Sequence, residues 1–362
     1  MENLIKSLTF YWHRLLGLSA GLVLLIMGVT GALLSFENEL IYSLNPTKVS
    51  VMQNERLSAP QLRLRLTPPE VGMTIRALWL DAEPTHAGIA WFHNQDHDMV
   101  MLFNPYTAQS WPEHGVIRAL EIIQAIHRWL GVRTIGKAIT GISTIILIVL
   151  IITGLIRRAP KKLSNWHVWM IWRRGLQGRA LLWQVHVLVG TWLCIPLLIA
   201  AFTGLTWSYS NYRHAIEAVL PSDRQESLIK LPVQPSTFTP LTVTGAEKMW
   251  DSFMNIAPHA YDYHWSEPQD AGDFPSISYL ATDAPYSTAR SDLTFDANGV
   301  LLQQNDYNTR NFREKFININ YALHVGNYGG LLNRILMLLT SLAMSSFAIT
   351  GLWMYLARKK FK

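Results

Sequence analysis

Cysteine is nearly missing from this sequence: Cys194 is the only one among 362 residues. A single cysteine excludes a disulfide within the chain, a cysteine zinc cluster, an iron–sulfur cluster and the C-x-x-C-H site of covalently attached haem. Charged residues are also scarce, at 15%, whereas 49% of the residues are apolar. This composition excludes an ordinary soluble enzyme of this size.

Several catalytic motifs are absent too. The sequence contains no P-loop, no H-E-x-x-H, no G-x-G-x-x-G and no Ser/His/Asp arrangement. An ATPase, a hydrolase and a self-contained nicotinamide enzyme are therefore poorly supported.

Long apolar runs dominate what is present. A membrane helix needs about 20 apolar residues, and four runs are long enough: 15–36, 135–156, 181–207 and 331–356. No A-x-A-like cleavage site follows the first run, so we expect it to be retained. Pro196 predicts a kink in the third. The sequence therefore predicts a four-helix membrane bundle.

Acidic residues are distributed unevenly. None lies in 157–179, which is rich in Lys and Arg, and apart from Glu2 all lie in 37–121 or 217–314. Short basic loops stay in the cytoplasm, so this loop and both termini are predicted inside and the acidic segments outside. We expect a multi-pass protein of a bacterial inner (plasma) membrane with periplasmic segments. The net charge of +6 then reflects topology, and we expect the lipid bilayer but no nucleic acid as a partner.

The sequence also repeats itself. Thr-Gly pairs occur late in each apolar run, at 30–31, 153–154, 203–204 and 350–351. His13 precedes Thr30 by the same distance as His186 precedes Thr203, and the distances from His127 to Thr153 and from His324 to Thr350 also match. These spacings predict an internal duplication, with the Thr-Gly pairs at close helix contacts.

The repeat predicts seven segments in order. They are a first span (1–36), an outer module (37–120), an outer-face helix with the second span (121–158), a basic cytoplasmic loop (159–180), a third span (181–210), a second outer module (211–317), and an outer-face segment with the fourth span and a basic C-terminus (318–362).

Each outer segment is predicted to be a small α+β module. Helix-like stretches at 59–66 and 245–256 are followed by alternating patterns such as GIAWFHN with MVMLFN, and ISYLATD with DLTFD. The turn chemistry of Asn-Pro and Asn-Gly ends these runs, in FNPYT at 103–107 and FDANG at 295–299. HNQDHD at 93–98 fits a hairpin turn better than a metal cluster. The aromatic residues of HAYDYHWSEP at 259–268 fit either module core or a ligand surface.

These turns resemble the end of a PepSY module, and the His-x-x-x-Gly … Thr-Gly spans resemble the PepSY-associated transmembrane family. The resemblance covers essentially the whole chain. Some members of that family are haem-containing inner-membrane reductases that release iron from ferric siderophores. It thus implies a ferric siderophore as the periplasmic partner and an oxidoreductase activity in iron uptake.

Four histidines occupy repeat-matched positions beside the runs, and they are His13, His127, His186 and His324. The repeat predicts that His13 lies near His186 at the inner face and that His127 lies near His324 at the outer face. Imidazoles are standard axial ligands, so two such pairs suit two non-covalent haem b groups, each held by two histidines. A histidine at a membrane boundary is also typical of an interfacial residue, but four matched sites favour ligation.

Two further groups of residues are candidates for the haem sites. Gly17, Gly131 and Gly190 each lie four residues after a histidine, which places them on the same helix face, where they leave room for a macrocycle. Arg14 and Arg128 directly follow ligand candidates and could pair with haem propionates.

The predicted function is a di-haem ferric-siderophore reductase that passes electrons across the membrane. The cytoplasmic loop is too short for a flavin or nicotinamide domain, so the donor would be quinol or a separate cytoplasmic reductase. Two alternatives stay open. A membrane-anchored PepSY regulator or peptidase inhibitor would need no cofactor, and a siderophore or iron transporter would need charged or broken helices at the midplane.

Overall fold

The computed structural model describes residues 2–45, 49, 55–68, 70–94, 97–113, 115–159, 164, 165, 167, 170–221 and 237–359. The chain forms two compact units. A helical unit contains Met1–Glu37, Arg118–Val219 and Asn320–Lys362, and a sheet unit contains Asn38–Ile117 and Leu220–Ile319. The predicted basic loop at 159–180 lies partly outside the described residues.

Helices and strands follow nearly the same order in both halves of the chain. The first half contains α1 (Glu2–Leu34), α2 (Glu37–Leu44), α3 (Ala59–Arg65), β1 (Thr74–Leu80), β2 (Gly88–His93), β3 (Asp98–Phe103), β4 (Ser110–Pro112), α4 (Val116–Trp129) and α5 (Arg133–Arg158). The second contains α6 (Gly178–Trp192), α7 (Cys194–Ser208), α8 (Ser210–Val219), α9 (Val243–Ile256), β5 (Tyr263–Ser266), β6 (Ser276–Leu280), β7 (Arg290–Phe295), β8 (Leu301–Asn305), α10 (Phe312–Val325) and α11 (Gly330–Lys359). The helix pair α6 and α7 thus takes the place of α1.

Three helices in the described residues are long and apolar enough to cross a membrane, and they are Lys6–Leu34, Arg133–Arg158 and Gly330–Ala357. The pair α6 and α7 is bent by 64° and makes a fourth if it is one span. The bend falls at Leu193, between the two helices. Pro196 has no N–H to donate to the carbonyl of Trp192, the last residue of α6, which explains why the helix is interrupted here.

The helical unit is held together by close contacts between its long helices. Helix α1 packs against α5 and α11, α5 packs against α7, and α11 packs against α6. At Gly28 of α1 there is no room for a Cβ, because Ser345 of α11 lies directly against the backbone. The Ser345 hydroxyl donates a hydrogen bond to the Leu25 carbonyl at 3.3 Å. A small residue at this crossing is therefore a requirement of the packing.

The two outer segments share one antiparallel sheet of eight strands. Its order is β4-β3-β2-β1-β5-β6-β7-β8. The first four strands come from one segment and the last four from the other, and β1 pairs with β5 in the centre, with Leu78 opposite Trp265. The sequence predicted the strands but not that both sets would join edge to edge. Joining them removes two exposed edges from the sheet.

The predicted helices and turns of both segments are present. Ser58 caps α3 in a capping box with Gln61, and Thr242 caps α9 by accepting a hydrogen bond from the Gly245 N–H. In the first turn the Asn104 side chain accepts from the Tyr106 N–H at 2.8 Å. In the second, the Asp296 carboxylate accepts from the N–H groups of Asn298 and Val300, at 2.9 and 2.8 Å.

One hydrophobic core is built from both segments. Leu62, Leu78 and Phe92 of the first pack in the same buried cluster as Phe253, Trp265 and Phe295 of the second. Tyr263 is also buried in this cluster, which settles the two interpretations of HAYDYHWSEP for Tyr263 and Trp265 in favour of core. In the same stretch, Tyr261 is 58% exposed.

His93 ends β2 and Asp98 begins β3, as predicted for a hairpin turn, and Gln95 and Asp96 of HNQDHD lie outside the described residues. The His93 Nδ1 and a carboxylate oxygen of Asp98 are 2.6 Å apart. Among the described residues, no group of three or more His, Cys, Asp or Glu side chains could hold a metal ion.

His264 lies on the face of the sheet opposite the hydrophobic core. Its ring stacks on Trp79, opposite it on β1, with the centroids 5.2 Å apart and the planes at 9°. Burial and, to a smaller extent, the positive charge of Arg290 together lower the pKa of His264 to about 3. His264 is therefore a neutral, stacked ring under most conditions.

We predict that the sheet unit loses stability in mild acid through His264. An unfolded histidine takes up a proton near pH 6.5, whereas folded His264 stays neutral to about pH 3. The unfolded state therefore binds more protons in this window. The contribution of His264 to the free energy of unfolding is complete above pH 6.5. It falls as the pH decreases and is smaller by about 2 kcal/mol at pH 5.

The matched variant is His264→Phe, which keeps an aromatic ring on Trp79 but cannot titrate. Hydrogen exchange of β1 and β5 should be compared between wild type and variant at each pH. Protection of these strands should decrease more in the wild type than in the variant between pH 7.5 and pH 5. An identical decrease in both proteins would contradict the prediction.

Candidate functional site

The four repeat-matched histidines form two pairs in the helical unit. The ring centroids of His13 and His186 are 6.4 Å apart, and we name these residues the first pair. Those of His127 and His324 are 6.3 Å apart, and we name these the second pair. Each pair joins one histidine from each half of the chain, and the pairs are those that the repeat predicts.

Each histidine occupies a defined position on a helix. His13 is on α1 and His186 is on α6, both within apolar stretches. His127 and His324 are in the last turns of α4 and α10, which precede the long helices α5 and α11. Aromatic rings lie beside one member of each pair: Phe347 is 5.1 Å from His186, and Trp207 is 5.2 Å from His324.

The threonine of every Thr-Gly pair is hydrogen-bonded to one of these histidines. Thr30 lies 3.0 Å from His127, Thr153 lies 2.9 Å from His13, Thr203 lies 2.9 Å from His324 and Thr350 lies 2.8 Å from His186, all between Oγ1 and Nδ1. Within each half the two hydrogen bonds are reciprocal. In the first half, His13 of α1 bonds to Thr153 of α5, whereas His127, just before α5, bonds to Thr30 of α1. The sequence reasoning assigned these pairs to helix packing and missed the role of the threonine.

The protonation of the imidazole rings follows from these contacts. Each of the four threonine hydroxyls donates its proton to the carbonyl four residues earlier in its own helix, at 2.6–2.7 Å. Its oxygen must then accept from the histidine Nδ1–H. In the second pair, Nδ1 also lies 3.0–3.1 Å from a backbone carbonyl, which can only accept. All four histidines therefore carry the proton on Nδ1, and Nε2 keeps a free lone pair.

The glycine of each Thr-Gly pair makes room for the same histidine. A Cβ at Gly31 would lie 3.1 Å from His127 Cε1, and one at Gly204 would lie 3.2 Å from His324 Cε1, which is tighter than an ordinary contact. At Gly154 and Gly351 the corresponding distances to His13 and His186 are 3.5 and 4.0 Å, which are ordinary. The second pair therefore requires its glycines more strictly than the first.

The predicted glycines four residues after the histidines differ from one another. Gly17 and Gly190 are on the helices of His13 and His186, and a Cβ at either would meet only side-chain atoms at 3.8 Å or beyond. The expectation that Gly131 shares a helix face with His127 is wrong, because α4 ends at Trp129 and Gly131 has a φ of +73°, whereas its place beside a cofactor stays a prediction. Its role is to end the helix in a left-handed turn before α5, so it does not share a helix face with His127.

The two predicted arginines have exposed side chains beside aromatic rings. The Arg14 guanidinium lies 5.5 Å from the Phe10 ring centroid, and that of Arg128 lies 4.7 Å from the Trp129 ring. Arg157 also lies over Phe10, at 4.4 Å. Pairing of Arg14 and Arg128 with propionates stays a prediction.

An apolar segment separates the two pairs. Thr30 follows His13 by 17 residues on the continuous helix α1, which is about 25 Å along its axis at 1.5 Å per residue. Ala20 and Leu24 lie between them on α1 and are buried against Leu147 and Ala201. The two histidine pairs are thus distinct sites with packed hydrocarbon between them.

We predict opposite effects for one substitution at two matched glycines. Gly204→Ala should lower the free energy of unfolding by about 1–3 kcal/mol, because its methyl group crowds the hydrogen-bonded ring of His324. Gly351→Ala meets only an ordinary contact and should be neutral or raise stability by about 0.5–1 kcal/mol, as alanine does in a helix. Thermal unfolding of the purified protein in detergent tests this, and equal effects would contradict it.

Comparison with known proteins identifies the family of this chain. Residues 10–358 match the family described as PepSY-associated TM region. No match is found among curated proteins. The match covers the apolar helices and the sheet-forming segments alike, and together with those helices it identifies a multi-pass membrane protein. The chain therefore belongs to the PepSY-associated TM family.

Proposed function

We propose that this chain is an inner-membrane di-haem b-type reductase that passes electrons across the membrane to ferric iron in a periplasmic siderophore complex. The observation that carries the proposal is the separation of the histidine rings. Two nitrogens on opposite sides of one metal, each about 2.0–2.1 Å from it, put the imidazole centroids about 6 Å apart. The centroid separations of 6.4 and 6.3 Å fit that requirement at both pairs.

The Nε2 atoms of the four histidines are also suited to bind haem iron. Nδ1–H is committed to threonine at all four histidines, and this leaves the neutral Nε2 that axial ligation requires. Gly17, Gly190 and nearby aromatic rings supply small and apolar surroundings suited to a non-covalent macrocycle. Haem bound at both pairs would supply one-electron redox centres at two depths of the membrane.

The protein's own residues would hold and separate these centres. His13 and His186 would provide the ligands near the cytoplasm, and His127 and His324 those near the periplasm. The apolar cluster around Leu24 and Leu147 would exclude water between the two depths. Each ferric ion takes one electron, so a quinol that releases two electrons and two protons would serve two ferric ions. Quinol or a separate cytoplasmic reductase is the proposed donor.

The orientation and origin of the chain belong to the same proposal. The basic residues of 157–179 and of the C-terminus would face the cytoplasm, and the sheet unit would face the periplasm, where the chelate binds. We also infer that the chain is an internal duplication whose outer segments are PepSY modules. The matched order of elements and the matched His-to-Thr spacings support this inference.

The protein purified from haem-replete cells should show a b-type visible spectrum with about two haems per chain. His13→Ala and His127→Ala should each remove about one, because each removes one axial ligand. His214→Ala is the matched control, since His214 is an exposed histidine on α8 outside both pairs. A colourless preparation would contradict the proposal and favour a PepSY regulator.

The reductase activity needs its own test. Purified protein in liposomes, with a reduced quinol in the membrane and a ferric siderophore outside, should release ferrous iron to an external ferrous chelator. His13→Ala and His127→Ala should abolish the release, because each interrupts the path at one depth, whereas His214→Ala should retain it. A haem-loaded wild type that takes electrons from quinol but leaves the ferric complex intact would overturn the proposed acceptor.

A further inference from the structure

The two histidine pairs differ in how their Nδ1–H groups are hydrogen-bonded. In the second pair each Nδ1 has two acceptors: His127 contacts Thr30 Oγ1 and the Met27 carbonyl, both at 3.0 Å. His324 contacts Thr203 Oγ1 at 2.9 Å and the Ala200 carbonyl at 3.1 Å. The hydroxyl and the carbonyl come from positions three residues apart on one helix turn.

The Nδ1–H groups of the first pair depend on threonine as their acceptor more than those of the second pair do. Among the residues that the structure describes, Thr350 Oγ1 is the one hydrogen-bond acceptor of His186 Nδ1, at 2.8 Å. His13 is intermediate, because Thr153 Oγ1 accepts at 2.9 Å and the Leu150 backbone is a further partner of the ring. Removal of the hydroxyl would therefore leave His324 with an acceptor but would leave the His186 N–H without one in an apolar bundle.

This difference matters because the acceptor opposite a metal-bound imidazole fixes both its orientation and its tautomer. A histidine that loses this partner can rotate or move its proton to Nε2, and Nε2–H cannot bind a metal. The acceptor also raises the basicity of the ligand, which favours the oxidised metal and so lowers the reduction potential.

We propose that the threonines of the four Thr-Gly pairs are positioning residues for the haem ligands, and that Thr350 is the one whose loss matters most. The hydroxyl of Thr350 holds His186 in the Nδ1-protonated tautomer by itself. Thr203, its counterpart in the same half, shares that task with the Ala200 carbonyl. This inference rests on the proposed haem ligation.

The test uses backgrounds that keep one centre each. Thr350→Val is made in His127→Ala, which retains the first pair, and Thr203→Val is made in His13→Ala, which retains the second. Haem loss to a haem-scavenging protein and the midpoint potential are measured for each. Thr340→Val serves as the control on α11, because Thr340 is buried and its hydroxyl donates to Leu336 of its own helix.

We expect Thr350→Val to weaken haem retention about 10–100-fold, the range for losing the partner of a metal-bound histidine, and to raise the potential of that centre. Thr203→Val should change both quantities much less, and Thr340→Val should change neither. Thr350→Ser should restore both, because it returns the hydroxyl. If Thr350→Val does not accumulate, Thr350→Ala removes the same hydroxyl and is judged by the same two readouts.

Two outcomes would overturn the inference, and they can be told apart. If Thr350→Val changes haem retention and potential no more than Thr203→Val does, while the wild type binds haem at both pairs, the special role of Thr350 is refuted and the proposed function stands. Absence of haem from the wild type would refute the proposed function and the inference together.

Discussion

The helical unit depends on one interaction used four times, the hydrogen bond from a histidine Nδ1–H to the threonine of a neighbouring helix. In the first half it joins α1 to α5 and the preceding α4 at two places, since His13 bonds to Thr153 and His127 bonds to Thr30. An unpartnered N–H in an apolar bundle is costly, so the bonds restrict how far the segments can slide or rotate. The glycine beside each threonine lets the ring approach, and the histidines of the two halves then face each other in pairs.

This interaction also links structure to the proposed chemistry. A metal ligand needs a neutral imidazole with its lone pair on the nitrogen that faces the metal, and the threonine supplies that condition before any cofactor binds. The same reciprocal bonds set the distance between the two sites, because His13 and Thr30 are on one continuous helix. Two pairs at different depths, separated by packed hydrocarbon, are what an electron path across a membrane requires.

Much of this could be predicted from the sequence, because the signals are periodic or paired. The apolar runs predicted the long helices, and the alternation of apolar and polar residues predicted β2, β3, β6 and β7. The equal His-to-Thr spacings predicted the histidine pairs. The union of β1 with β5 could not be predicted, since pairing of two edge strands depends on the shape of both segments. The helix position of Gly131 was predicted wrongly, because a helix end and a helix face look alike in an H-x-x-x-G pattern. The importance of the threonines was indicated by the sequence, because each His-to-Thr spacing occurs twice. Spacing alone does not identify which helix carries the threonine that bonds to a given histidine.

The most direct test is a cryo-EM map of the protein purified from haem-replete cells, at a resolution that shows side chains. We expect planar density with a metal at its centre between His13 and His186, and again between His127 and His324, with each Nδ1 still facing its threonine. Histidine rings that contact only lipid or neighbouring side chains, with no density between the members of either pair, would contradict the central claim.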